Sequence, residues 1–232
     1  MTTHRSTYIL VALCGILGTI ALTTYFAAPW TFMPLPAANS TIAQLQTFGI
    51  KYHSTILFDA WLQAIGSLLS IIFSLAIIHL AGASQRFFGR MTLLTAGVIM
   101  ALSLAEVTFE IGAVMSGDNG HLQAAQTCFD LTNTFIHVFL LAPSLFLMQG
   151  LALWNTRLLP RAFSYLAIGL GILFQVMGAL GLFNTAFLLI VIIILMIQNV
   201  WTIAAAITLL FRMNKGARNL ATQAQEAAIA RG

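Results

Sequence analysis

Six apolar runs, each as long as a bilayer core is thick, constrain this chain more than anything else in it. They cover about residues 8–28, 54–80, 91–116, 130–153, 161–182 and 184–211. A helix crosses a hydrocarbon core of roughly 30 Å with about 20 apolar residues. Inside lipid every main-chain N–H and C=O must be satisfied by the protein itself, so only helices or closed barrels can span it. No alternating strand pattern points to a barrel. Nor is there charge enough for a soluble surface: 7% of the 232 residues are charged, against about 25% in a typical soluble domain. The sequence therefore predicts an all-α polytopic membrane protein, one domain of six transmembrane helices set in the lipid bilayer, with a tail over residues 213–232. Only LFNTA separates the fifth run from the sixth, which predicts a tight hairpin.

Basic residues orient the bundle. With six spans, Arg5, Arg86, Arg90, Arg157, Arg161, Arg212, Lys215, Arg218 and Arg231 all fall on one side, and Lys51 alone falls on the other. Lys and Arg near helix ends favour the cytoplasm, so both termini are expected there. These residues rim helix ends instead of striping a soluble surface, and no nucleic-acid partner is expected. The first run is longer than the apolar stretch of a secretory signal and reads as an uncleaved helix. Cys14 and Cys128 fall in separate segments, and no disulfide between them is expected.

Two outer connections are predicted. Residues 29–53, with Trp30, Phe32 and three prolines, read as a chain lying among headgroups, where aromatic rings favour the interface. Within it Ser40 is a candidate cap for a short helix whose Ile42, Leu45 and Phe48 would face lipid. Residues 116–130 read as a polar loop.

The segment ALSLAEVTFEIG, residues 101–112, carries two acids in an apolar setting. Glu106 and Glu110 are four apart, hence on one helical face. A bare charge against lipid is costly, so that face should look into the bundle. Other helices carry polar pairs at the same spacing and a comparable depth: Asp59 and Gln63 on the second, Asn133 and His137 on the fourth, Thr19 and Thr23 on the first. His53 and Asp130 lie nearer the mouth, and Gln175 on the fifth helix is slightly deeper. Three acids and a histidine can bind a cation, relay protons or ligate a divalent metal, with Asp59, Glu106, Glu110 and His137 as candidate ligands. The alternative is a polar network that only fixes helix packing.

The other half of the bundle carries small-residue lines: Gly66, Ser70 and Ser74; Gly97, Ala101 and Ala105; Ala167 and Gly171. Such lines let helices approach closely, and a tightly packed cytoplasmic half is expected. Pro143 should break the fourth helix and leave the carbonyl of Phe139 without its helical donor. Gln198 reads as marking either the bundle side of the sixth helix or an oligomer contact, so a homo-oligomer is a candidate assembly.

Several classes are disfavoured. No lysine lies within a span to form a retinal Schiff base, there are no histidine boxes for a di-iron site, and no phosphate-binding or dinucleotide pattern appears.

The stretches TLLTAGVIMALSLAEVTFEIGAVMSG and ALWNTRLLPRAFSYLAIGLGILFQVMGAL resemble parts of a set of uncharacterised bacterial six-helix integral membrane proteins, a family known only as a domain of unknown function. The resemblance implies a multi-pass protein of the bacterial inner membrane and carries no activity with it. Glu106 matches the family's helix-three glutamate, and Glu110 is an additional acid. The residues as a whole lead to an outward-facing intramembrane pocket for a cation, proton or small amphipathic ligand, serving transport or sensing. An outer-leaflet enzyme or metal or redox module using His137 and a carboxylate is the rival. A non-catalytic scaffold subunit is the third reading.

Overall fold

The computed structural model describes residues 2–34, 36 and 40–229, and side chains within 6–34, 36, 40–135 and 137–212. The protein is an all-α bundle of α1 (Thr2–Thr31), α2 (Ile42–Leu80), α3 (Phe87–Asp118), α4 (Leu122–Leu141), α5 (Leu145–Leu153), α6 (Arg161–Gly181) and α7 (Ala186–Ile229). With α4 and α5 counted as one interrupted span, six segments of the described residues are long and apolar enough to cross a membrane. The helices pack in the cyclic order α1, α2, α3, α4, α6, α7 and back to α1, while α5 packs on α3 and α6.

Several boundaries differ from those expected, each for a local reason. The long connection over 29–53 shrinks because α1 continues through Pro29 to Thr31 and α2 starts at Ile42. The cap is Thr41, not Ser40. Its hydroxyl accepts from the Gln44 N–H, and the Gln44 side chain accepts from the Thr41 N–H at 2.8 Å. This reciprocal capping box satisfies two orphan donors and starts a helix that needs no further break. No separate interfacial helix forms. Ile42, Leu45 and Phe48 belong to the first turns of a 39-residue α2, about 58 Å long, and contribute to the wall of a cavity, with Ile42 also exposed.

The polar loop over 116–130 is likewise mostly helix. α3 runs to Asp118 and α4 begins at Leu122, leaving a turn whose Gly120 has φ +76°. That left-handed geometry favours glycine. The run LQAAQ that follows is rich in good helix formers, which outweighs its polarity. The hairpin at LFNTA forms as expected: the Asn184 side chain accepts from the Ala186 N–H at 3.0 Å and starts α7. α7 stays helical through most of the tail, to Ile229.

Pro143 interrupts the fourth span. α4 ends at Leu141, and α5 restarts with Ser144 as its cap. The carbonyl of Phe139 is not stranded, because the Ala142 N–H reaches it at 3.1 Å. A tightened last turn replaces the donor that proline lacks. On the far side of the break, Gln175 of α6 accepts from the Ser144 N–H at 3.1 Å. Gln175 thus closes the break; losing it would leave a part-buried N–H unpaired, at a cost of about 1–3 kcal/mol.

The end of the bundle that carries the arginines is filled. Phe73, Ile77, Leu153, Trp201, Ala205 and Leu209 form its centre, all under 5% exposed. Trp201 packs edge-on against Phe146 and Phe163 and donates its Nε1–H to the Phe163 carbonyl at 2.9 Å. Arg212 donates to the carbonyls of Arg157 and Leu158, tying the α5–α6 connection to the side of α7. The small residues act where helices cross. A Cβ on Gly18 would lie 2.8 Å from the Ser70 nitrogen, one on Gly66 3.0 Å from the Leu22 nitrogen, and one on Gly150 2.8 Å from the Ile168 nitrogen. The α3 line does not work this way. Gly97 has open space where its Cβ would be, and Ala101 is exposed. α3 spends its inward face on Ser103, Glu106 and Val107, so the small residues fall on the other side.

Candidate functional site

The opposite half of the ring is hollow. A cavity of about 1110 Å³ runs from the connections at the Lys51 end into the middle of the bundle, and every helix contributes to its wall. α2 gives it a polar stripe, Asp59, Gln63, Ser67, Ser70 and Ser74, at steps of three or four residues that keep one face of a helix. α3 answers with Ser103, Glu106 and Glu110 on its own inward face. The two stripes meet in antiparallel register. The Gln63 amide donates to Glu106 Oε2 at 2.5 Å, and the Ser103 hydroxyl donates to Ser67 at 3.0 Å.

The carboxylates converge. Asp59 and Glu106 are 5% and 7% exposed, and Glu110, one turn from Glu106, lines the same cavity. α1 adds Tyr25, whose hydroxyl approaches Glu106 Oε1 at 3.5 Å. Their hydrogen bonding is incomplete. Asp59 Oδ1, Gln63 Oε1 and Glu110 Oε2 are buried and have no protein partner. Glu106 is satisfied by neutral donors, whereas Asp59 and Glu110 present acceptor atoms that the fold leaves unpaired.

The other expected residues take different places. Asn133 is exposed at the surface of α4 and contributes to the cavity wall. His137 turns to its own helix, with Nδ1 3.2 Å from the Asn133 carbonyl, and no hydrogen bond joins it to the carboxylates. Among the described residues, no three or more His, Cys, Asp or Glu side chains are grouped so as to hold a metal ion. His53 lines the cavity at its mouth and pairs with Asp118 at the end of α3, 2.9 Å away. Both partners are substantially exposed, so the pair contributes little stability; it ties the start of α2 to the end of α3. Asp130 is exposed. Thr19 is buried without a partner for its hydroxyl, and Thr23 accepts from the Asn199 amide at 3.0 Å. Cys14 and Cys128 are both free.

Tyr25 escaped the sequence reading, and of the two readings of Gln198 the structure bears out the bundle side. Tyr25 belongs to the stripe Leu22, Tyr25, Phe26, Pro29 that α1 turns to the cavity, about a quarter-turn from Thr19 and Thr23. The signal was there: a tyrosine hydroxyl inside a span needs a partner. Gln198 is 7% exposed on the bundle side of α7 and lines the cavity with Asn199 and Thr202. It stands at the i, i+3/i+4 spacing that links Val191 and Leu195 to Thr202 on one face of the helix.

No family model matches the chain, and no match is found among curated proteins or solved structures.

Proposed function

We infer that this small polytopic membrane protein binds a cationic or amphipathic ligand in its intramembrane cavity, in the service of transport or sensing. One observation carries the reading: Asp59 and Glu110 line a large cavity, and each holds a buried carboxylate oxygen that lacks any protein partner. A buried polar atom left unpaired costs free energy, and a buried charge costs more. Packing alone gives no return for that cost, whereas a cation in the cavity, or protons exchanged with one, would offset it. No lysine or arginine lines the cavity to do so from within the protein. The rival use of His137 with a carboxylate draws no support from a ring that bonds its own helix.

The setting is part of the proposal. The nine-to-one distribution of basic residues puts the filled end of the bundle in the cytoplasm, and the cavity then opens outward. The resemblance of the α3 and α5–α6 sequences to bacterial six-helix proteins favours the bacterial inner membrane.

Equilibrium dialysis of the purified protein against Mn²⁺ and, separately, tetraphenylphosphonium tests the reading. At least one should bind saturably, and Asp59→Asn and Glu110→Gln should each weaken that binding at least about tenfold, since each removes one unpaired carboxylate. Absence of saturable binding by either probe would overturn it. So would binding that both variants retain in full.

A further inference from the structure

We propose that the occupant of this cavity is a lipophilic organic cation, one positive centre on a bulky apolar body, and not a small inorganic ion. The proposal rests on the cation-binding reading above and deepens it.

The carboxylates are confined to one side, while α7 adds the neutral polar groups Gln198, Asn199 and Thr202. Asp59, Gln63, Glu106 and Glu110 come from the adjacent helices α2 and α3, with Tyr25 of α1 beside them. Asp59 and Gln63 line the cavity, are each more than nine-tenths buried, and each hold an oxygen without a protein partner. Much of the facing wall is apolar: Phe139 and Phe174, whose rings meet edge to face at 5.9 Å, with Leu188, Val191 and Leu195 of α7. A small hard cation needs oxygen ligands arranged around it, and a one-sided set of carboxylates leaves much of its shell to neutral groups and water. An organic cation asks for the asymmetry found here. Its charged centre needs carboxylates and aromatic faces on one side, and its body needs dry hydrocarbon on the other.

Size agrees. Sites for drug-sized ligands run to about 300–1,000 Å³, and this cavity, at about 1110 Å³, exceeds what a desolvated metal ion would fill. Charge agrees as well. The lining holds carboxylates and no lysine or arginine, which repels anions and leaves a net attraction for cations.

Three probes separate the possibilities on the intact protein in lipid nanodiscs: tetraphenylphosphonium, tetramethylammonium and Mn²⁺. The first two carry the same single charge and differ in apolar body. Tetraphenylphosphonium should bind saturably and on the order of a hundredfold more tightly than tetramethylammonium, because the extra surface is removed from water. Excess Mn²⁺ should not displace it. Asp59→Asn should weaken it at least tenfold, which separates the site from partition into lipid. Saturable Mn²⁺ binding that needs Asp59, without saturable binding of tetraphenylphosphonium, would overturn this inference and leave the cation-binding function standing. Equal affinity for the two organic probes would also overturn it. No saturable binding of any probe would defeat both.

Discussion

Gly171→Ala should destabilise the protein by about 1–3 kcal/mol or more, while Gly97→Ala should be neutral or stabilising. Both glycines are helical, so intrinsic propensity favours alanine at each by up to about 1 kcal/mol, and only packing separates them. A Cβ on Gly171 would lie 2.6 Å from the Leu147 Cα, against main chain that cannot rotate away. A Cβ on Gly97 meets nothing within 4 Å. The α5–α6 seam would have to open in the first case. It lies directly beyond the Pro143 break, where the Gln175 contact to Ser144 already replaces ordinary helix bonding. Thermal melts in detergent provide the check. For a chain of this size about 2–4 °C is expected per kcal/mol, so the two variants should fall on opposite sides of the parent or several degrees apart. Equal melts would mean that the seam is looser than described.

The second large effect concerns Glu106 and depends on what replaces it. Glu106→Ala leaves the Gln63 amide and the Tyr25 hydroxyl without their acceptor in a buried setting. Each orphaned donor costs about 1–3 kcal/mol. Glu106→Gln keeps the volume and one acceptor oxygen and should cost clearly less. Melts of the two variants should therefore rank glutamine well above alanine, whereas cation binding should weaken in both, because both lose the carboxylate. A glutamine variant that melts with the parent and binds as the parent does would reduce Glu106 to packing. An alanine variant as stable as the parent would remove the hydrogen-bond network from the account.

Much of this arrangement was legible from residue spacing. The spans followed from apolar length, and the α2 and α3 stripes followed from acids and amides four apart in an apolar context, since spacing on a helix fixes a face. The boundaries failed for local reasons. The short helix expected after Ser40 is continuous with the second span from the Thr41 cap, and residues 122–130 are helical because the LQAAQ run favours helix more strongly than its polarity opposes it. His137 misled for another reason. It shares a face with Asn133 by spacing, and Asn133 does line the cavity, but His137 bonds within α4. Tyr25 was hidden by the assumption that a single polar group in a long apolar run is incidental, whereas Gln198 could be read as a mark of the bundle side.

The central claim is that the intramembrane carboxylates face a ligand-accessible cavity and are covered when a cation binds. Dicyclohexylcarbodiimide, an apolar reagent for carboxyl groups, tests it directly when adducts are mapped by peptide mass spectrometry with and without tetraphenylphosphonium or Mn²⁺. The account predicts modification at Asp59, Glu106 or Glu110, slowed by at least one of the two cations, while any adduct at the exposed Asp130 forms at an unchanged rate. Adducts confined to carboxyls outside the cavity, or cavity adducts whose rate neither cation alters, would contradict it.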